Sequence, residues 1–167
     1  MEANVLELQS ATNFVLQFFA DQGVNLDYSP ESIRHLDTLF EHEFINGIFI
    51  NGASVFAQYQ GLIMTGITGY IAQVILQHTE NARLCFEEDD ENWVINFAIE
   101  SESGKKIMPG HRVLKRAYNG DSDLLYAYVT DSINYFNEPG PSYSFKSAVV
   151  HLMDHKDANG KQWWKLW

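Results

Sequence analysis

The first eighty residues carry apolar side chains at the three- and four-residue spacing typical of helices. Over residues 3–22, valine, leucine and phenylalanine recur at this spacing, and Gly23 supplies a stop. A second helix is predicted to start at Ser29, a residue type that caps helix N-termini, with Pro30 in the first helical position. Its apolar stripe consists of Ile33, Leu36, Phe40 and Phe44. Residues 1–80 are therefore predicted to be mainly helical.

Small residues recur every four positions from residue 53 onward, at Ala53, Ala57, Gly61, Thr65 and Gly69. On a helix such a row forms a shallow groove that another backbone can approach closely. Each helical glycine costs ~1 kcal/mol relative to alanine, so a helix that contains Gly61, Gly66 and Gly69 would be unstable alone. We expect this helix to be the buried centre of the fold. The alternative is a hairpin in which Asn51 and Gly52 join residues 48–50 to residues 55–56; the helix is favoured.

Residues 82–108 show the two-residue alternation of strands. Leu84 and Phe86 flank Cys85, and after a polar connection the apolar side chains recur at every second position. These are Trp93, Ile95, Phe97 and Ile99. Residues 106–108 follow a turn and can pair back as a third short strand. The pattern predicts an antiparallel meander over residues 82–108.

Two further helices are predicted within residues 111–137. The first covers residues 111–118 and is closed by Asn119 and Gly120. The second is capped by Asp121 or Ser122. Its buried face consists of Leu125, Val129, Ile133 and Phe136. Residues 143–167 fit either a hairpin around residues 159–160 or a helix over residues 144–155, and the hairpin is favoured.

These elements predict a single α+β domain over residues 1–167, a length that fits one domain. Its helices pack round the glycine-rich helix and cover one face of an antiparallel sheet, made of the meander and, where present, the C-terminal hairpin.

The single cysteine excludes an internal disulfide and fits a reducing compartment. No signal-peptide pattern opens the chain, so we expect a cytoplasmic protein. Residues 44–79 lack Asp, Glu, Lys and Arg, but glutamines interrupt them and no basic flank orients them, which favours a buried helix over a membrane span.

Charge is divided unevenly along the chain. Acidic residues outnumber basic ones 22 to 11, which gives a net charge of -11 and argues against a nucleic-acid partner. Residues 1–100 contain two basic and fifteen acidic side chains, whereas residues 101–167 contain nine basic and seven acidic ones. The candidate binding residues are the clustered cations Lys105, Lys106, Arg112, Lys115 and Arg116. They fit a site for an anion or for the acidic half of a second copy, and they equally fit a solvated face.

No catalytic motif, cofactor motif or metal site is predicted. Residues 103–106 lack the first glycine and the hydroxyl residue of a phosphate loop. The acidic run of residues 87–91 lacks the glycine that a calcium loop requires. His151 and His155 could share a metal only if their segment is helical. Cys85 has acidic neighbours, which disfavour the thiolate that a nucleophile needs.

Residues 66–75, followed by Trp93, Pro109 and residues 113–116, resemble a family of small uncharacterised bacterial domains. In that family pattern a Gly-x-Tyr-x-x-x-Val helix precedes a tryptophan strand, a proline and a basic segment. The resemblance extends over residues 30–137. It implies an α+β domain from a bacterial source and no particular activity. Some small acidic bacterial domains of this kind are immunity proteins, which bind and block toxins.

Together these features predict a non-enzymatic protein-binding domain that resembles an immunity protein and uses an acidic surface. The expected partner is another protein or a second copy, with no nucleic acid, membrane or cofactor. The alternative is a small-molecule-binding protein or weak enzyme with a pocket between sheet and helices. A cavity of at least ~300 Å³ lined by convergent polar groups would favour the alternative. A flat or convex acidic surface would favour protein binding, and exposure of the tryptophan-rich residues 163–167 would mark an interface.

Overall fold

The computed structural model describes residues 2–138 except 46, 87–89 and 91. Its helices are α1 (Glu2–Ala20), α2 (Ile33–Glu43), α3 (Val55–Gln58), α4 (Gln60–Gln77), α5 (Trp93–Asn96), α6 (Pro109–Asn119) and α7 (Leu125–Asn137), and 3-10 turns cover Pro30–Ser32 and Gly120–Asp123. Its strands are β1 (Phe44–Ile45), β2 (Ile48–Phe49), β3 (Ala82–Cys85), β4 (Ala98–Ser101) and β5 (Lys106–Ile107). The predicted α+β class is confirmed. The hairpin or helix predicted for residues 143–167 lies outside the described residues.

Helix α4 is the buried centre of the fold, and α1 packs along it at very short range. A Cβ added to Gly66 would lie 2.2 Å from the carbonyl oxygen of Ala11, and one added to Gly69 would lie 2.2 Å from Oγ1 of Thr12. Only glycine allows the two backbones to approach so closely. The close approach uses glycines three apart, whereas Gly61 of the predicted four-residue row is exposed to solvent.

Strands β1 and β2 form a small hairpin. It differs from the alternative hairpin considered in the sequence analysis, which would turn at Asn51 and Gly52. Phe44 pairs with Phe49, and Ile45 pairs with Ile48. The alternative is wrong because Ser54 caps α3 by accepting the backbone N–H of Ala57, which commits residues 55–58 to a helix. Helix α2 ends at Glu43, one residue before the Phe44 of its predicted stripe.

An aromatic cluster holds this hairpin to the core. The rings of Phe44 and Phe56 meet edge to face with centroids 5.3 Å apart, and Phe49 and Phe40 lie within 5.9 Å of Phe56. Aromatic contacts of this geometry stabilise beyond the area they bury. Because successive side chains of a strand point to opposite faces, Ile45 and Ile48 point away from the cluster.

Strands β3, β4 and β5 form an antiparallel sheet in that order, as the meander predicts. The strand predicted from Trp93 is wrong in its first half, where α5 forms. Asp90 causes the difference: its side chain accepts the backbone N–H of Asn92 and the side-chain N–H of Asn96, each at 2.8 Å. These local bonds favour a helical turn over an extended chain. The strand begins only at Ala98.

The predicted junction between α6 and α7 is partly confirmed. Gly120 ends α6 with a φ of 56°, a conformation that favours glycine. Asp121 and Ser122 do not cap α7. They lie in the 3-10 turn, and α7 begins at Leu125. Within the described part of the chain, no helix has the length and apolar character that crossing a membrane requires.

The packing of α1 on α4 generates a direct stability test. Gly66→Ala places a methyl group against a backbone carbonyl and is expected to destabilise the protein by about 1–3 kcal/mol. Gly61→Ala is the matched control, because nothing lies within 4 Å of an added Cβ there. It is expected to be neutral or to stabilise by up to ~1 kcal/mol. Urea unfolding followed by circular dichroism measures both; equal effects would contradict the packing.

Candidate functional site

One buried carboxylate, that of Asp37 in α2, joins three helices. Its Oδ1 accepts hydrogen bonds from Nε of Arg116 at 2.8 Å and from the backbone N–H of Leu125 at 2.9 Å. Its Oδ2 accepts the backbone N–H of Tyr126, also at 2.9 Å. The first-turn N–H groups of a helix lack intrahelical acceptors, so Asp37 serves as the cap of α7 from a distant part of the chain.

Arg116 of α6, one of the five predicted binding residues, is the partner of this carboxylate. Its side chain is 1% exposed, and Nη2 also donates to the backbone carbonyl of Asp37 at 3.0 Å. Glu41 and Asp121 lie 3.3 and 3.4 Å from the guanidinium, at more exposed positions. The charge of Arg116 is therefore neutralised inside the protein and is not presented to solvent.

Lys105, a second predicted binding residue, is also buried, and it lies at the opposite end of α7. Its ammonium group donates to the backbone carbonyls of Tyr135 and Glu138. The carbonyl end of a helix carries partial negative charge and favours a cation. Helix α7 is thus held by a carboxylate at its N-terminus and an ammonium group at its C-terminus, both supplied by other elements.

The three remaining predicted binding residues are partly exposed. Arg112 forms an ion pair with Asp123, and its guanidinium carbon lies 4.9 Å from the centre of the Tyr128 ring. Lys106 pairs with Glu100 in the register of β4 and β5. Burial, and next the charge of Arg112, lowers the pKa of Lys115. The five cations are thus divided between two buried side chains, Lys105 and Arg116, and three partly exposed ones.

The exposed charge of the described residues is mostly negative. Two exposed basic side chains, Arg34 and Arg83, compare with ten exposed acidic ones. The acidic ones are Glu7, Asp21, Asp27, Glu31, Glu41, Glu80, Glu102, Asp121, Asp131 and Glu138. The guanidinium of Arg34 also lies over the ring of Tyr126, at 3.6 Å. Because Lys105 and Arg116 are buried whereas most carboxylates are exposed, the described residues present a more acidic surface than their sequence balance alone indicates.

Sequence reasoning missed a group of exposed apolar side chains between residues 45 and 62, which we call the apolar end. Its members are Ile45, Ile48, Ile50, Val55, Tyr59 and Leu62. Ile48 is the most exposed of them, at 72%. The signal in the sequence was the absence of charge over residues 44–79, together with apolar positions on more than one face of the predicted helix. The same signal predicts a buried helix, so by itself it does not mark an exposed surface.

A smaller exposed apolar pair lies at the other end of the molecule. Val5 and Leu6 are in the first turns of α1, and Leu6 is 70% exposed. Gly69 of α4 meets Leu8 and Thr12, whereas Gly66 meets Ala11 and Val15, so the two helices run antiparallel. The first turns of α1 therefore lie beside the last turns of α4, away from the apolar end.

A cavity of about 420 Å³ lies between α7 and the neighbouring β5 and α6. Its volume meets the size expected for a small-molecule site, but most of its polar groups are already engaged or hidden. Arg112 holds Asp123, and the hydroxyl of Tyr128 is fully buried, where burial raises its pKa. Ser132 is buried too, which leaves Ser122 and Asp131 as the exposed polar lining. Among the described residues of the lining, these two exposed side chains do not make the convergent set of polar groups that a small-molecule site requires.

Two of the described titratable groups, Cys85 and His111, lie in surroundings that disfavour their charged forms. The Cys85 thiol donates to Glu100 at 3.3 Å, and burial, followed by this bond, raises its pKa, which disfavours the thiolate. Burial, then the charge of Lys115, lowers the pKa of His111, whose Nε2 lies 3.4 Å from Oδ1 of Asn96. Among the described residues no group of three His, Cys, Asp or Glu could hold a metal ion. His151, His155 and residues 163–167 lie outside the described residues.

Comparisons of the chain with protein families, with curated proteins and with solved structures find no match. The resemblance to small bacterial domains stays a prediction.

Two of the three acidic neighbours of Arg116, Asp37 and Asp121, allow a matched test of the Asp37 contact. Asp37→Ala leaves a buried guanidinium without its main partner and α7 without its cap, and is expected to cost about 3–5 kcal/mol. Asp121→Ala removes a carboxylate that is 82% exposed from the same guanidinium and should change stability by less than ~0.5 kcal/mol. Denaturant unfolding measures both. Comparable losses would show that Asp37 is no more important than a surface ion pair.

Proposed function

We propose that this chain is a non-enzymatic protein-binding module whose partner is a basic protein, in the manner of an immunity protein. The observation that supports this most is the ratio of exposed charges, ten acidic to two basic, over the described residues. A surface of one sign attracts partners of the opposite sign from a distance and speeds their encounter. Acidic recognition of this kind needs no cofactor.

The positions of the cations support a different partner over self-association through the basic cluster. Lys105 and Arg116 are occupied inside the protein, and Arg112 is paired with Asp123. The cluster that would bind the acidic half of a second copy is thus reduced to Lys106 and Lys115, which are both only partly exposed. A net charge of -11 on each copy also opposes association.

The cavity beside α7 supports the small-molecule alternative less well. Its volume is suitable, but its cation, Arg112, holds a carboxylate of the protein, and the hydroxyl of Tyr128, one of its two tyrosines, is buried. A ligand there would contact Ser122 and Asp131 as its exposed polar partners. Protein binding is therefore the function that the arrangement of charges favours.

A selection from a random peptide library, performed at low salt against the purified chain, tests the proposal. Lysine and arginine are expected to be enriched in the selected peptides relative to the starting library. Binding of these peptides is expected to weaken as salt rises from about 50 to about 300 mM, because salt screens exposed charges. A selected pool with no basic enrichment, or one that is insensitive to salt, would contradict the proposed function.

A further inference from the structure

The exposed side chains of the apolar end come from two adjoining elements, and each element has a regular pattern. Ile45 and Ile48 are opposite one another in the β1–β2 register, on the face away from the aromatic cluster. Val55, Tyr59 and Leu62 are spaced by four and three residues. Tyr59 joins α3 to α4, and its backbone N–H and carbonyl bond to Val55 and Ile63, so the four-residue bonding continues across the junction and the three side chains follow one side. Two ordered rows of this kind differ from the single scattered apolar residues of ordinary surfaces.

The two rows are fixed to the same support. Phe56 lies next to Val55 in α3 and contacts the rings of Phe44 and Phe49, which are the strand neighbours of Ile45 and Ile48. Ile50 connects the rows along the chain and donates its backbone N–H to the carbonyl of Glu43 at 2.9 Å. The exposed rows therefore lie on a packed base, which reduces the entropy lost when a partner binds.

Acidic side chains border this end. Glu41 lies in the last turn of α2, directly before β1, and Glu43 accepts a hydrogen bond from Ser54 at 2.6 Å. The turn at Gly47 rests on the ring of Tyr118, close to the end of α6, and Asp121 follows in the next turn. The partly exposed Lys115 lies one turn before Tyr118, and its electrostatic interactions are with Arg112 and Asp123. An apolar centre with an acidic border is the complement of an apolar segment flanked by basic residues.

We infer that the apolar end is the docking face for the partner, and that the partner presents apolar side chains flanked by lysine or arginine. This inference rests on the proposed function and names the surface that performs it. A second copy fits less well, because a two-fold contact would place the acidic borders against one another. An anionic membrane fits less well too, because interfacial membrane binding uses basic residues around the apolar face.

Two synthetic peptides of equal length and equal positive charge test the inference. One alternates lysine with leucine, and the other alternates lysine with serine. The leucine peptide is expected to bind the wild-type chain about tenfold more tightly than the serine peptide, as the burial of about one leucine side chain would give. The double variant Ile45→Ser, Ile48→Ser is expected to lose this preference. The matched variant Val5→Ser, Leu6→Ser, altered at the other exposed apolar site, is expected to keep it.

The outcomes separate the inference from the proposed function. If both peptides bind equally and with the same salt dependence, the docking face is wrong and the acidic module stands. If neither binds, the proposed function fails.

Sedimentation velocity and flotation with phosphatidylglycerol vesicles complete the test. A dimer lost in the Ile45→Ser, Ile48→Ser variant would assign the apolar end to a second copy, and vesicle binding lost in that variant would assign it to a membrane; either result overturns the inference. Circular dichroism of both variants checks that the fold is retained.

Discussion

The contact on which the described structure depends is that of the Asp37 carboxylate with Arg116 and with the first two amides of α7. A buried guanidinium is costly unless it is paired, and a helix N-terminus is costly unless it is capped. One side chain satisfies both demands and so fixes α2, α6 and α7 relative to one another. Lys105 completes the arrangement by neutralising the carbonyl end of α7. The negative and positive groups match the partial charges at the two ends of the helix, so the packing of α7 is specified electrostatically as well as by its apolar face.

The same contact has a consequence for the surface. Because Lys105 and Arg116 are needed inside, they are removed from the outer charge, and carboxylates dominate what a partner meets. Helix α2 leads directly into the β1–β2 hairpin, and the hairpin turn rests on Tyr118 of α6. Since Asp37 joins α2 to α6, it also holds the base on which the apolar end is displayed. The acidic body and the apolar end therefore follow from one packing arrangement, which connects the fold to the proposed binding function.

Local patterns were enough to predict much of the fold. Helical periodicity indicated α1, α2 and α4, Ser29 and Pro30 marked the start of the turn that leads into α2, and Gly120 marked the end of α6. The predictions that were wrong concern places where local hydrogen bonds compete with the hydrophobic pattern, or where a residue's partner is far away in the sequence. The apolar alternation from Trp93 predicts a strand, but the hydrogen bonds of Asp90 stabilise a helical turn there. The cap of α7 is Asp37, which lies 88 residues before Leu125 in the sequence. A cluster of cations in sequence gives no indication that buried partners will meet some of them. Apolar composition likewise does not reveal which side chains, such as Ile48, the rest of the chain leaves uncovered.

Native-state hydrogen exchange at the amides of Leu125 and Tyr126 tests the central role of Asp37 most directly. Amides in the first turn of a helix have no intrahelical acceptor and exchange rapidly unless another group bonds to them. The Asp37 contact predicts that these two amides exchange only when the protein unfolds globally, with protection comparable to that of the buried Val129 amide in the middle of α7. Exchange at the rate of an unstructured peptide, while Val129 remains protected, would contradict it.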